Sequence, residues 1–346
     1  MTASGASGAP RLWAQRFPGA RYAALADSEV RATLGGLIYS PASPDPGCRP
    51  SETGTALLFP IESPMDTWCS DAPVAQGRCG SVRWVHNGNW LFGALELDET
   101  ATGASLAELA AQAYREVFET LAHTGCDHLL RLWNYLPGIN ADAGGMERYR
   151  QFNSGRQRAF LAAERAAFEG APAACALGTQ GGPLRVRFLA GRRAAIPVEN
   201  PRQTSAYHYP RDYGPHSPTF SRAALVDAGG GQVALLISGT SSIVGHQSMH
   251  IGDVVAQTRE TLANLQAVIA SAHQRCSARF DLAKADCTIY VRNPADTIAV
   301  RQVFETAVGA QSQAALGAVM VQADICRADL QVEIEAHAFA PGEVHP

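Results

Sequence analysis

One strand–helix pattern occurs twice in this sequence, and it constrains the possible folds more than any other feature. From Val82 the order is strand, helix, strand, helix, strand. Val82 to Leu97 reads as a hairpin turning at Asn87-Gly88, a pair that readily adopts the positive φ of tight hairpin turns. Ser105 to Ala122 carries apolar residues at helical spacing behind a capping serine. Leu129 to Leu136 reads as a strand, Glu147 to Phe168 as a second helix and Leu184 to Leu189 as a closing strand. The order returns after Ser221. Gln232 to Ser238 is a strand, Asp253 to Ala272 an amphipathic helix, Cys287 to Val291 a strand and Asp296 to Ala307 a helix, and closing strands lie within Ala318 to Ala336. Two copies of one α+β unit account for most of the chain. Upstream, a helix near Glu29 and strands near Leu37 and Leu57 read as a shorter, degenerate third unit. The expected domains are therefore 1–78, 79–200 and 201–346. Between the two clear copies, Ile196 to Phe220 holds five prolines and three tyrosines without periodicity, and a loop this long and aromatic suggests part of a site.

Composition narrows the function. The chain has 346 residues, 46% apolar and 17% charged, enough material for more than one core. A net charge of −4 with no run of Lys and Arg argues against a nucleic-acid partner. No apolar stretch is long enough to span a bilayer. Met1 to Pro10 lacks the basic start and apolar run of a secretory signal and reads as a frayed tail. The expected location is therefore cytoplasmic, with the eight cysteines present as reduced thiols. None forms a CxxC pair, His246 and His250 have no neighbouring glutamate, and neither a phosphate loop nor a nucleophile elbow is present. No metal and no cofactor are expected.

Two resemblances add to this reading. The segments ISGTSSIVG, GDVVAQTRETLANLQAVI and VEIEA make the second copy similar to the RidA/YjgF family. That resemblance implies small sheets backed by helices, with ligand sites at the seams between units. The commonest activity of that family, imine hydrolysis, relies on an arginine on the strand before the last, yet Gln302 to Cys326 contains no Arg or Lys. A narrower family fits from about residue 30 onward. RLWNYLPGIN (Arg131 to Asn140), ERYRQFNSGRQRAF (Glu147 to Phe160), NPRQTSAYHYP with YGP and FSRA (Asn200 to Ala223), and ADICRADLQVEIE (Ala323 to Glu335) resemble the chorismatases, RidA-like lyases that remove pyruvate from chorismate. The resemblance implies tandem RidA/YjgF-like domains in a pseudo-three-fold arrangement, a monomer, and an active site between the central and C-terminal domains.

The substrate so implied is a dianion with an enol ether. Its cleavage needs cations for the carboxylates and an acid for the methylene carbon. In LQVEIEA, Glu333 and Glu335 share one face of a strand, and Leu330, Val332 and Ile334 take the other. The resemblance implies that Glu333 is the acid, which requires a raised pKa; Glu335 is read as supporting. Tyr149 and Arg156 lie two helical turns apart on one face, and the resemblance makes them a carboxylate clamp. Arg222 is the second clamp, with Tyr207 and Tyr213 as walls or donors of the pocket. Arg148, Arg150, Arg158, Arg202 and Arg211 are read as solvated charges. Gly239 and Cys326 match the branch that forms 3-hydroxybenzoate, with 4-hydroxybenzoate also open, rather than the branch that hydrolyses chorismate to a dihydroxycyclohexadiene carboxylate. A methyl at Gly239 and loss of the Cys326 thiol are expected to disturb the fate of the ring more than pyruvate release. An imine deaminase and a non-catalytic carboxylate sensor are the other readings.

Overall fold

The computed structural model describes residues 9–18, 21, 27–39, 51–53, 55–59 and 63–345. The tail expected over residues 1–10 lies outside them up to residue 8, as does Cys48. The described cysteines are unpaired thiols. No helix among the described residues is long and apolar enough to cross a membrane.

Three main sheets form among these residues. The first unit contains β1 (Leu12–Pro18), α1 (Asp27–Ala32), β2 (Thr33–Ile38), β3 (Ser51–Glu52), β4 (Ala56–Phe59) and β5 (Pro64–Ser70). The second contains β6 (Ala75–Cys79), β7 (Val82–His86), β8 (Trp90–Leu97), α2 (Glu99–Thr102), α3 (Leu106–Thr124), β9 (His128–Pro137), α4 (Arg148–Ala162), β10 (Ala173–Thr179) and β11 (Leu184–Gly191). The third contains β12 (Ile196–Val198), β13 (Ala223–Gly229), β14 (Gln232–Ser241), the hairpin β15 (Ile243–Val244) and β16 (Gln247–Ser248), and α5 (Val254–Ala272). It continues with β17 (Asp286–Val291), α6 (Thr297–Val308), α7 (Gln313–Gly317), β18 (Val319–Gln322) and β19 (Val332–Pro341). The sheets change slightly before residues 79 and 201, because β6 joins the second and β12 the third. β4 crosses over to pair with β18.

Every sheet has the same four-strand centre, β1-β5-β2-β3, β8-β11-β9-β10 and β14-β19-β17-β18. In each, the last two strands are parallel. The registers also agree. Tyr135 faces Arg185 and Trp133 faces Arg187; Tyr290 faces Glu333 and Thr288 faces Glu335. In the first sheet Leu37 faces Asp66, and Tyr39 donates its N–H to the Pro64 carbonyl at 3.2 Å. Glu333, Arg185 and Pro64 thus occupy one position of the repeat, and Glu335, Arg187 and Asp66 another. Tyr39, Tyr135 and Tyr290 hold a third and are all buried. This is the pseudo-three-fold arrangement, written in the register.

The core has an inner and an outer part. Inner faces of all three sheets meet around Tyr39, Trp68, Trp133, Tyr135, Cys175 and Tyr290. Outer faces pack on helices: α3 and α4 cover the second sheet, and α5 and α6 cover the third. α3 forms where expected, because Ser105 and Glu108 make a reciprocal capping box and Gly125 closes the helix at φ 69°. Its buried face includes Leu109, Ala113, Val117 and Leu121, the spacing of one helical stripe. The second unit's parallel strand β10, AACALGT, is buried at every position. Small residues covered on both faces leave no alternation to read, so the sequence pattern passed over it.

Candidate active site

Glu333 enters the inner core near the start of β19 and is 3% exposed. Opposite it, the ladder of β14 and β19 slips between Ile237 and Thr240, so Ser238 and Gly239 form a bulge. Bulges of this kind re-aim side chains beside sites. Ser238 pins the bulge, donating its hydroxyl to the Ser221 carbonyl at 2.5 Å and accepting the Ala174 N–H at 2.9 Å. Gly239 leaves room for Glu333: an added Cβ would overlap Glu333 Oε1 and lie 2.7 Å from its Cδ, so the carboxyl end would have to shift. A methyl here therefore bears on the Glu333 carboxyl as well as on the space beside it. Beyond the bulge, Ser241 pairs with Glu333 across the ladder and donates its hydroxyl to Oε2 at 3.3 Å.

Two residues along, Glu335 has a different environment. It forms an ion pair with Arg131 of β9 and accepts bonds from Trp133 Nε1 at 3.2 Å and the Tyr290 hydroxyl at 3.0 Å. Among the described residues Glu333 has no such ion-pair partner. Burial, and then the negative charge of Glu335, push its carboxyl up to about 8, against the opposing pull of Ser241, Arg131 and Arg222. Both causes favour the protonated carboxyl over the carboxylate.

Around Glu333 lies a cavity of ≈ 320 Å³ at the seam of the second and third units, within the usual range for small-molecule sites. Its lining includes Tyr149 from α4, Tyr209, Tyr213 and Arg222 from the loop after β12, Gly239 and Ser241 from β14, and Cys326 and Arg327 before β19. Arg222 is 3% exposed; it donates to the Thr204 carbonyl at 2.7 Å and the Tyr209 hydroxyl at 2.8 Å, and its buried Nε has no partner. Arg327 sits 4.0 Å from the Tyr213 ring and 5.1 Å from that of Tyr209, stacked as a guanidinium does on aromatic faces. Its Nη1 donates to the His246 carbonyl at 2.8 Å, leaving a buried Nη2 unpartnered. Burial, and then Glu333, push the Cys326 thiol up to about 12. It presents a neutral thiol, not a nucleophilic thiolate.

Of the residues expected from the sequence, Glu333, Cys326, Gly239, Tyr149, Tyr213 and Arg222 converge on this cavity. Arg156 and Tyr207 are not among its lining residues. Arg156 is 1% exposed, donates to Asn153 Oδ1 at 2.8 Å and lies over the Phe152 ring at 5.0 Å. The helical face it shares with Tyr149 runs from the cavity into the outer core. Tyr207 packs against His208, and Tyr209 takes the place at the wall. Of the arginines expected to be solvated, Arg148 is largely covered and holds Glu99 at 2.8 Å and 2.9 Å. Arg150, which borders the cavity, and Arg202, which binds Glu260 and Asn264, keep solvent contact. Arg327 and Ser241 went unassigned, although Ser241 follows Gly239 at the two-residue spacing of a shared strand face.

Comparison with known proteins bears on the family of this chain. A sequence profile described as "Chorismatase FkbO/Hyg5-like, N-terminal" matches residues 66–190. The chain is 36% identical over 291 residues to 3-hydroxybenzoate synthase of Streptomyces hygroscopicus, covering 81% of this chain and 83% of that protein. It is 35% identical over 281 residues to a chorismatase of Streptomyces rapamycinicus, covering 79% and 82%. A chorismatase crystal structure superimposes with a TM-score of 0.82 at 29% identity, over 95% of this chain and 99% of that one.

Proposed function

This chain belongs to the chorismatase family, and from that premise we propose that it cleaves chorismate to pyruvate and 3-hydroxybenzoate, with Glu333 as the acid. The observation that carries the proposal is a buried carboxyl, raised to about 8 and lining a cavity that arginines also line. Glu333 gives its proton to the enol-ether methylene, which becomes a methyl group, and the ether carbon becomes an oxocarbenium ion. The ring C–O bond then breaks with its electron pair going to oxygen, which yields the pyruvate carbonyl. The neighbouring ring hydroxyl takes the vacated position and returns its proton to Glu333. The arene oxide so formed opens to 3-hydroxybenzoate, and no water is consumed. General acid catalysis of this type contributes about 10²–10⁴-fold.

Arg222 is the first carboxylate contact, and the unpartnered donors of Arg222 and Arg327 support binding of a dianion. Tyr149 and Tyr213 form the walls. Arg156 supports the site through Asn153 and the α4 helix rather than by lining it. Gly239 and Cys326 favour the aromatising outcome over hydrolysis to a dihydroxycyclohexadiene carboxylate, and 4-hydroxybenzoate is the minor product to look for. The units are read as 1–78, 79–200 and 201–346, with β6 and β12 joining the following sheet a few residues ahead of these bounds, and a ring of sheets closed within one chain supports a monomer. An imine deaminase is disfavoured by β18, Val319–Gln322, which carries no arginine.

The test is incubation with chorismate in the presence of a chelator, with pyruvate measured enzymatically and the aromatic products by chromatography. Pyruvate with 3-hydroxybenzoate in equal amounts is expected. Absence of pyruvate release would overturn the reading, and a dominant dihydrodiol acid would move the chain to the hydrolytic branch.

A further inference from the structure

A protonated carboxyl group has two oxygens and one transferable proton, so the identity of Glu333 as an acid leaves open which oxygen delivers it. The surroundings of the two oxygens differ. Oε2 faces Ser241 on the neighbouring strand and accepts its hydroxyl at 3.3 Å. Oε1 faces Gly239, where a Cβ would overlap it and no side chain offers a donor; Gly239 and Ser241 both line the cavity. The carbonyl oxygen of a neutral acid is its better acceptor, so a donor held against Oε2 favours the proton on Oε1.

We propose that Ser241 is a positioning residue that directs the transferable proton of Glu333 onto Oε1, the oxygen over Gly239. Ser241 is held firmly enough to do this. It is buried, and its backbone carbonyl accepts the Asn264 side-chain amide at 3.0 Å. Asn264 also bonds the Ile243 carbonyl at 2.9 Å and accepts Arg202 at 2.8 Å, fixing the end of β14 to α5. The bulge at Ser238 and Gly239 sets the complementary side. The bulge clears space for one oxygen while the strand beyond it supplies a donor to the other.

The proposal rests on the reading of Glu333 as the acid, and its test keeps the two apart. The charged and titratable groups around Glu333 are Glu335 on the same strand, Tyr290 opposite it on β17, Arg131 on β9, Arg222 from the preceding loop, Cys326 and Arg327 before β19, Tyr149 on α4 and Cys175 on β10. All of them remain in the variants used. The hydrogen bond from Ser241 opposes the upward shift of Glu333, so its loss should move the alkaline limb of kcat/KM to higher pH. Ser241→Ala is expected to lower kcat about tenfold, shift that limb upward and leave KM near the wild-type value. Ser241→Thr, which restores a hydroxyl, should recover both kcat and the limb. If Ser241→Ala keeps wild-type kcat and limb, Ser241 has no such role. Loss of kcat with the limb unmoved and no recovery in Ser241→Thr would make the residue merely structural and also overturn the proposal. Glu333→Gln is assayed alongside: if it retains turnover, the assignment of the acid fails, whereas an inactive Glu333→Gln beside a normal Ser241→Ala defeats the Ser241 proposal alone.

Discussion

Strands β11 and β19 occupy the same place in their sheets and present the same two positions to the inner core, but they fill them with opposite charges. On β11 these are Arg185 and Arg187, and both are paired with Glu96, at 3.3 Å and 2.6 Å. On β19 they are Glu333 and Glu335, and among the described residues only Glu335 has an ion-pair partner, Arg131. Asp66, at the equivalent of Glu335 and Arg187, is likewise paired, with Arg16 at 2.6 Å. The repeat therefore sets an opposite charge beside Asp66, Arg187 and Glu335, with Arg185 sharing Glu96, as burial of ions demands, while Pro64 carries no charge at the place that Glu333 takes. Glu333 is the departure from that pattern. An acid left without a cation beside an already ionic neighbour takes up a proton, and a neutral acid facing a cavity can give it away. Where compensation is complete the position is structural; where it is withheld the position can do chemistry.

The most severe way to break this comparison is at Glu333. Glu333→Gln keeps the shape and the bond to Ser241 but has no acidic proton, so pyruvate release should fall about 10²–10⁴-fold, measured as kcat with chorismate. The complementary change on β11 is Arg187→Met, which removes the 2.6 Å partner of Glu96 and the bond to the Leu95 carbonyl but leaves Arg185 at 3.3 Å. Losing such buried hydrogen bonds costs about 1–3 kcal/mol, read as a loss in denaturant midpoint, while kcat per folded molecule should change little. Opposite outcomes, a stable but inactive Glu333→Gln and an unstable but active Arg187→Met, are the signature of the division.

Smaller effects are expected around the cavity. Arg222→Ala and Arg327→Ala should each lower kcat/KM for chorismate by about 1.5–3 kcal/mol, roughly ten- to a hundredfold. Arg158→Ala, at an exposed site on α4, should have no effect. Equal losses at all three would place the substrate elsewhere. Gly239→Ala should slow pyruvate release and not only redirect the ring, because the methyl displaces the Glu333 carboxyl end. A mutant with normal pyruvate release and altered products would show that the carboxyl has room to move.

The pair of glutamates was legible in the sequence because a strand alternates strictly, so LQVEIEA places Glu333 and Glu335 on one face whatever surrounds them. The long helices were legible for a similar local reason: caps at Ser105 and Asp253 and an apolar stripe. Their difference was not legible. Arg131 lies 204 residues from Glu335 in the chain, and no local pattern announces which of two adjacent acids a distant strand will neutralise. Arg156 illustrates the converse. Helical spacing put it on the face of Tyr149, but two turns along the helix that face is buried away from the cavity lining, where the guanidinium rests on Phe152. Gly239 was singled out by resemblance, and its physical reason, the space needed by Glu333 Oε1, required the bulge that only the paired strands reveal.

Stability should register the same protonation. With its folded pKa raised from 4.5 to about 8, Glu333 binds its proton more tightly when folded, so its contribution is fully present below 4.5 and is lost as pH rises through about 8. Thermal melts of wild type should weaken over that window relative to Glu333→Gln, which has nothing to ionise there. The most direct measurement is the protonation of Glu333 itself, followed by the infrared carbonyl band of the neutral carboxyl as wild type minus Glu333→Gln across pH. The account predicts a band present at pH 7 that disappears with a midpoint near the value of about 8. A band already gone at pH 7, with a midpoint near the ordinary 4.5, would mean that Glu333 is ionised and cannot be the proton donor.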